Sequence, residues 1–148
     1  MKAVWIAILW CLTLGTTTAI GVAQSGPPFP DVFLVTIDTL RADHLHCYGS
    51  NRVQTPTLDN LSEEGIRFSQ AFTPSPITNT SHATILTGLL PSFHGVTDFG
   101  VPLATTLPTA AVLLKGRGYR TAAFIGSVIL DSRSLAPGFD RGFDFYDN

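Results

Sequence analysis

Apolar and polar residues occur in blocks along this chain, and the spacing inside each block predicts its structure. Residues 31–37 form an almost continuous apolar run rich in β-branched side chains, which predicts a buried central strand. Residues 66–72 alternate between apolar and polar side chains, and this segment and residues 119–125 predict two more strands. Helical spacing and flanking turn residues predict three helices between and beside these runs, at 56–64, 79–87 and 106–115.

Strands that alternate with helices are typical of a layered α/β fold with a mainly parallel sheet. Residues 31–148 are numerous enough to bury a hydrophobic core, so we expect them to form one α/β unit. In open α/β sheets, ligands bind beyond the carboxyl ends of the strands. The residues that follow the strand at 31–37 are therefore the first place to look for a functional site.

The first 30 residues differ from the rest of the chain. Lys2 is followed by a long uncharged stretch that ends in small residues, which is typical of an export signal cleaved after Ala23. The same stretch is long enough for a membrane anchor, since a spanning helix needs about 20 residues. Residues 24–30 are proline-rich and predict a spacer. We therefore expect an exported protein, periplasmic or extracellular, that contacts a membrane only if residues 1–23 are retained.

Composition and charge exclude some classes of partner. The chain is 45% hydrophobic and only 14% charged. Without residues 1–23 it has 8 basic residues (9 minus Lys2) and 11 acidic ones, a net charge of −3. Nucleic acid is not expected as a partner, because the sequence contains no basic patch. Cys47 is the one cysteine after the signal, so no internal disulfide is expected.

Three residues at the ends of predicted elements carry candidate chemistry. Asp38 follows the first predicted strand, where a carboxylate serves either as a ligand for a divalent cation or as a cap for the turn. Thr78 precedes the second predicted helix, where a hydroxyl serves either as an N-cap or as a nucleophile activated by a metal. His82 follows one helical turn later and faces either the same pocket or solvent. The local sequence leaves these alternatives open.

Several motifs taken together resemble one known family. Their order and spacing are similar to the start of the sulfatase branch of the alkaline phosphatase superfamily, over about residues 31–148. The motifs are Val35-Thr36-Ile37-Asp38-Thr39-Leu40-Arg41-Ala42-Asp43-His44-Leu45-His46-Cys47-Tyr48-Gly49, Thr55-Pro56-Thr57-Leu58-Asp59-Asn60-Leu61, Gly65-Ile66-Arg67-Phe68, Thr87-Gly88 with His94-Gly95-Val96, and Gly118-Tyr119-Arg120-Thr121. The resemblance implies the N-terminal part of an alkaline-phosphatase-like α/β sandwich and a metal-dependent hydrolase of sulfate or phosphate esters.

The resemblance also assigns expected roles to individual residues. It places the first metal ligand at Asp38 and a family aspartate at the position of Thr39, and it places the nucleophile, also a metal contact, at Thr78. His82 falls on the position of the family's arginine. The expected cofactor is a divalent ion, Ca²⁺, Zn²⁺, Mg²⁺ or Mn²⁺. Three residues are weaker candidates for substrate contact: Thr39, Arg41 and His94.

Threonine at the nucleophile position changes the expected chemistry. Sulfatases of this family oxidise a cysteine or serine to the aldehyde formylglycine, whereas the methyl group on Cβ of Thr78 would lead to a ketone. The resemblance therefore favours phosphoryl chemistry through a phosphothreonine over sulfuryl chemistry. The expected substrate is a small-molecule, glycan or lipid ester.

Two other interpretations remain open. The family often carries Gly-Lys-x-His after the Gly-Tyr motif, but here Gly126 is followed by Ser127, Val128 and Ile129. This difference favours a catalytically degenerate binding module. An uncleaved segment at 1–23 would instead support an anchored phosphotransferase. The family domain is several times longer than this chain, so we expect residues 31–148 to be a truncated N-terminal part of it.

Overall fold

A computed structural model describes residues 29–148, and the chain divides into two units, residues 1–36 and residues 37–148. The export signal or anchor predicted at residues 1–23 lies outside the described residues, as does most of the predicted spacer at 24–30. Between residues 29 and 148, no helix is both long enough and apolar enough to cross a membrane.

Helices and a small sheet make up the regular structure of residues 37–148. The helices are α1 (Pro56–Glu64), α2 (Thr78–Thr87), α3 (Pro91–His94) and α4 (Ala110–Gly116). The strands are β1 (Ala122–Phe124) and β2 (Phe145–Asp147), and short 3-10 helices lie at Ala42–His44, His46–Tyr48 and Val128–Leu130. The two strands are parallel and pair in the register Ala122 to Phe145, Ala123 to Tyr146 and Phe124 to Asp147. The predicted α/β class with a parallel sheet is confirmed.

Two of the three predicted strands are wrong. Residues 31–37 and 66–72 have no strand assignment, and their large apolar side chains are exposed, Phe33 to 86% and Phe72 to 88%. An apolar run becomes a buried strand only where other strands pair with its edges and other layers cover its faces. Among the described residues, the sheet consists of β1 and β2 paired with each other. The third predicted strand, at 119–125, is confirmed at its centre as β1.

The predicted helices are confirmed with changed boundaries. α1 occupies the predicted segment from Pro56, and the N–H of Gly65 closes it on the carbonyl of Leu61 at 3.0 Å. α4 begins at Ala110 rather than 106, because the residue before Pro108 is disfavoured from helical backbone. The Thr109 hydroxyl then caps the helix by accepting the Val112 N–H at 3.2 Å.

The hydrophobic core of the described chain is formed by residues from Ala83 onward. Five fully buried residues form it, and half-buried side chains from α2, β2, a 3-10 helix and the loops pack around them. The buried residues are Ala83, Val96, Leu103, Ala136 and Phe139. Ala83 is on α2, so the helix that carries Thr78 rests on this core.

Candidate active site

Asp38 and Thr78 lie side by side, although 40 positions separate them in the sequence. The Thr78 hydroxyl donates to Oδ1 of Asp38 over 3.4 Å. This distance exceeds the roughly 2.5–3.0 Å of a tight O–H···O hydrogen bond, so the hydrogen bond is long and weak. Asp38 is exposed and Thr78 is half-buried. The structure thus brings together the two residues that the sequence analysis placed at the centre of the site.

The turn that carries Asp38 contains a strained residue. Thr39 has φ of 58°, the one positive φ of a non-glycine residue in the described chain. The left-handed region is unfavourable for a β-branched side chain, whereas aspartate and asparagine tolerate it better. Such strain is often kept at functional sites because the surrounding structure depends on the turn. Thr39 is exposed beside Asp38, and its role as a substrate contact stays a prediction.

Thr78 is the first residue of α2 and not its cap. The residue before the helix is Ile77, and no side chain caps this end, so the N-cap interpretation of Thr78 is wrong. The reason is that the helix begins one position earlier than predicted, which turns the hydroxyl towards Asp38. The N–H groups of the first helical turn have no partner within the helix, and together with the helix dipole they favour an anion.

The His82 side chain lies against the backbone of Thr78, one helical turn earlier. Its Nδ1 lies 2.8 Å from the carbonyl oxygen of Thr78. A carbonyl oxygen can only accept, so Nδ1 carries the proton in this arrangement. The Ser81 hydroxyl donates to the same carbonyl at 3.1 Å. The hydrogen bond from Nδ1 holds the imidazole ring beside the start of α2. A catalytic role for His82 stays a prediction.

Arg41 is near Asp38 in sequence but is paired with another acid. Its guanidinium donates twice to Asp43, from Nε at 2.9 Å and from Nη2 at 2.7 Å. This hydrogen bonding, together with the opposite charge, raises the pKa of Arg41 and lowers the pKa of Asp43. Both side chains are well exposed. Arg41 would have to share or release this pairing to bind a substrate anion, and substrate binding stays a prediction for it.

The side chain of His94 is buried in the interior of the protein. It is 3% exposed, its Nδ1 accepts the Val96 N–H at 3.1 Å, and its Nε2 lies 3.0 Å from the Thr84 hydroxyl. Because Nδ1 accepts, the neutral ring carries its proton on Nε2 and donates it to Thr84. Burial lowers the pKa of His94, which favours the neutral form. These contacts favour a structural role for His94, and substrate contact is not proposed for it.

The donors near Thr78 fit part of a divalent-cation site. The carboxylate of Asp38 and the hydroxyl of Thr78 are hard oxygen donors, and Asp38 is accessible. Within residues 29–148, however, no group of three or more histidine, cysteine, aspartate or glutamate side chains is arranged to hold a metal ion. Structural zinc takes about four ligands and Ca²⁺ about six to eight, so these residues alone do not complete a coordination shell.

Comparison with known proteins identifies the family. The family model for sulfatases matches residues 30–148. The chain therefore belongs to the sulfatase family, and the resemblance drawn from the motifs is confirmed.

Three relatives illustrate the family's range. The chain is 39% identical to the steryl-sulfatase of Mus musculus and 32% identical to the N-acetylglucosamine-6-O-sulfatase of Bacteroides thetaiotaomicron, in each case over 80% of this chain and 22% of the relative. It is 36% identical to the arylsulfatase A of Bos taurus, over 76% of this chain and 23% of that protein. The chain thus spans about a fifth of the length of these relatives. No solved structure gives a significant match.

Sequence reasoning missed one residue beside the site, Asn79. Its side chain is completely buried and donates to two backbone carbonyls that lie 50 and 56 positions away. The sequence analysis assigned no role to this position. The available signal was an amide side chain in the first turn of a helix that rests on the core, but a sequence does not show which carbonyls such an amide would meet.

Proposed function

We propose that this chain is part of an ester hydrolase in which the Thr78 hydroxyl attacks phosphorus, or less readily sulfur. The observation that carries the proposal is the contact of the Thr78 hydroxyl with the Asp38 carboxylate, 3.4 Å apart at the start of α2. A hydroxyl beside a carboxylate and an uncapped helix N-terminus combines a nucleophile with groups that bind an anion.

The side chains at the site have distinct parts in the proposed reaction. Asp38 orients the Thr78 hydroxyl by accepting its hydrogen bond. As Oγ1 of Thr78 forms a bond to phosphorus, its proton passes to the Asp38 carboxylate. The ester bond to the leaving group breaks at the same time, and the leaving oxygen takes a proton from His82. Water later cleaves the phosphothreonine. The N–H groups at the start of α2 stabilise the equatorial oxygens. In its doubly protonated form, His82 donates from Nδ1 to the Thr78 carbonyl and from Nε2 to the leaving oxygen.

A divalent cation belongs to this proposal as the cofactor. Asp38 and Thr78 would be two of its ligands, and a bound cation lowers the pKa of a hydroxyl that coordinates it. The identity of the ion, whether Ca²⁺, Zn²⁺, Mg²⁺ or Mn²⁺, is left to a binding experiment. The names of the relatives mention steroids, aryl groups and an amino sugar, and we propose a small-molecule, glycan or lipid ester as the substrate class.

The first 30 residues add a proposal about location. Residues 1–23 are proposed to be an export signal or an anchor, and 24–30 a spacer, which would deliver the domain to the periplasm or the cell exterior. N-terminal sequencing of the protein recovered from cells tests this proposal. A new N-terminus at Gln24 supports cleavage, whereas recovery of Met1 in a membrane fraction supports an anchor.

The test of the activity compares two chromogenic esters in the presence of divalent cations. We expect 4-nitrophenyl phosphate to be cleaved faster than 4-nitrophenyl sulfate. Thr78→Ala should reduce kcat by at least about 100-fold, in keeping with the loss of a nucleophile. Thr78→Ser, which keeps the hydroxyl, should retain much of the rate. Mass spectrometry of the quenched reaction should find a phosphate on Thr78.

A matched control makes the result specific to position 78. Thr106→Ala removes an exposed threonine from a loop and should leave the rate unchanged. Equal rates for Thr78→Ala and the native chain would remove Thr78 as the nucleophile. Faster cleavage of the sulfate ester would overturn the preference for phosphoryl transfer.

A non-catalytic binding module is the second candidate, and one observation favours it. Where relatives of this type often carry lysine and histidine, the Ser127 hydroxyl accepts the Ile129 N–H at 3.3 Å and so caps a short 3-10 helix. The Ser127 hydroxyl is therefore occupied by a hydrogen bond within its own loop. Calorimetric titration with divalent cations separates the two candidates, since a catalytic domain requires tight binding of a cation and a degenerate one does not.

A further inference from the structure

Asn79 connects the first turn of α2 to a distant turn of the chain. Its side chain is 0% exposed, and Nδ2 donates to the carbonyl of Ile129 at 3.1 Å and to the carbonyl of Leu135 at 2.6 Å. Both hydrogens of the amide are therefore used. The Leu135 carbonyl also accepts the N–H of Gly100 at 2.7 Å, so three separate segments meet at this point.

The orientation of this amide follows from its partners. Carbonyl oxygens accept hydrogen bonds and cannot donate, so the atom that lies between the two carbonyls must be the amide nitrogen. Oδ1 of Asn79 is buried and has no hydrogen-bond partner within residues 29–148. The donor side of the amide thus determines how the side chain is held, and an aspartate at this position would place a third acceptor against two others.

The segments that Asn79 joins belong to the core. Leu135 is followed by Ala136, which is 0% exposed and belongs to the core cluster, and Leu130, next to Ile129, packs against that cluster. The amide therefore joins the start of α2 to segments that belong to the hydrophobic core. Without it, the packing of Ala83, one turn further along, would hold the helix but leave its first turn less restrained.

Thr78 and Asn79 are consecutive and point to different sides of α2. Successive residues of an α-helix are turned by about 100°, so the rotation at which Asn79 is held sets the direction of Thr78. Asn79 faces the buried side, and Thr78 faces Asp38. We propose that Asn79 is a positioning residue that fixes the rotation of the first turn of α2 and so directs the Thr78 hydroxyl at Asp38. Its catalytic consequence rests on the proposed role of Thr78.

The test follows the Thr78 methyl group by NMR in the full chain. In the native background, Asp38→Asn should shift the Thr78 methyl signal, because the carboxylate contacts that side chain. In an Asn79→Ala background, the same substitution should shift the signal by less than a third as much. The methyl signals of Val96 and Leu103 report whether the core is intact. Asn60→Ala, at an exposed asparagine on α1, is the matched control and should preserve the full response.

Kinetics provide a second readout that a general loss of stability would not reproduce. With the phosphate ester, Asn79→Ala should lower kcat by at least about tenfold and leave KM within about twofold, because a misdirected nucleophile affects the chemical step. Asn79→Asp should lower kcat further. If the native chain cleaves neither ester, the proposed function fails, while the methyl response still decides whether Asn79 positions Thr78.

Two results would overturn the proposal. One is an Asn79→Ala chain with intact core signals in which Asp38→Asn shifts the Thr78 signal as much as in the native chain. The other is loss of the Val96 and Leu103 signals in Asn79→Ala, which would show that Asn79 maintains the core as a whole rather than the direction of one side chain.

Discussion

Residues 37–77 and residues 78–148 both contain large apolar side chains but are held together in different ways. In the described chain before residue 78, Ser50 is the one buried residue, and large side chains such as Ile66 and Phe72 are 87% and 88% exposed. From residue 78 onward, fully buried side chains such as Val96 and Phe139 form a core. In the first region most of the large apolar side chains are exposed. In the second region other side chains pack over several such side chains and bury them.

The first region is organised by polar contacts. Asp59 on α1 accepts the Cys47 N–H at 2.8 Å and the Thr55 hydroxyl at 3.1 Å through Oδ1, while its Oδ2 lies 3.2 Å from Nδ1 of His46. Such a network fixes a local conformation, but each exposed or half-exposed bond contributes only about 1 kcal/mol. We infer that the first region opens more readily than the second.

The candidate site lies where these two regions meet. Thr78 begins the packed region and is held through Asn79, whereas Asp38 lies on an exposed turn with a strained neighbour, Thr39. We therefore expect Thr78 to be the more restrained half of the candidate site and Asp38 the adjustable half. We therefore expect that Asp38 moves more than Thr78 when the site binds a cation or a substrate.

Phe139→Ala should have the largest effect and tests the core directly. The side chain is 1% exposed, and its removal should lower the free energy of unfolding by roughly 3–5 kcal/mol. The matched variant Phe72→Ala, at a side chain 88% exposed, should change it by less than about 0.5 kcal/mol. Urea unfolding followed by far-UV circular dichroism measures both. Similar losses for the two variants would contradict the contrast between the regions.

Gly142→Ala should be nearly as disruptive, for a steric reason. Gly142 has φ of 93°, and a Cβ there would overlap the backbone nitrogen of Val112 and lie 2.8 Å from the carbonyl carbon of Ala111. Strain and overpacking together should cost on the order of 3 kcal/mol. Gly100→Ala is the control, since φ is also positive, at 73°, but nothing lies within 4 Å. If both variants lose the same stability, backbone conformation alone would explain the effect.

Much of the fold was predictable because its signals are local. Proline and glycine placed α1 correctly, and the polar segment between Pro76 and Gly88 contained α2. The strand at 31–37 failed because burial depends on which other strands are present, and an apolar run carries no information about its cover. No element was predicted for the segment that contains β2, so its pairing with β1 was not foreseen.

The site was predictable in part for the same reason. The motif spacing related Asp38 to Thr78, and the structure places their oxygens 3.4 Å apart. The burial of His94 and the amide contacts of Asn79 could not be predicted, because both depend on segments far away in sequence. A residue type states what a side chain can donate or accept, whereas the tertiary fold decides which partner is within reach.

Thr39→Asn tests the exposed turn of the first region and should stabilise it. Thr39 has φ of 58°, and asparagine adopts that conformation at lower cost, so we expect a gain of about 1 kcal/mol in the free energy of unfolding. Thr106→Asn, an exposed loop position without a positive φ, is the control and should change little. A loss of stability in Thr39→Asn would mean that the threonine side chain contributes more than its backbone conformation costs. The measurement is the urea midpoint at constant pH.

The smallest effect concerns the acid stability of the packed region, through Asp144. Its carboxylate accepts hydrogen bonds from Lys115 at 2.6 Å and from the Thr121 N–H at 2.9 Å. These bonds lower the pKa of Asp144 from the ordinary 3.8 to about 2, and the bond from Lys115 has the larger effect. Because the folded-state pKa is depressed, the carboxylate stabilises the fold above pH 3.8, and this contribution falls as the pH drops towards 2. Partial exposure of the pair keeps the effect modest. Asp144→Asn should therefore flatten the decline of the urea midpoint between pH 4 and 2, whereas Asp98→Asn, at an exposed loop carboxylate, should not. An equally steep decline in Asp144→Asn would show that other acids control the acid stability of this region.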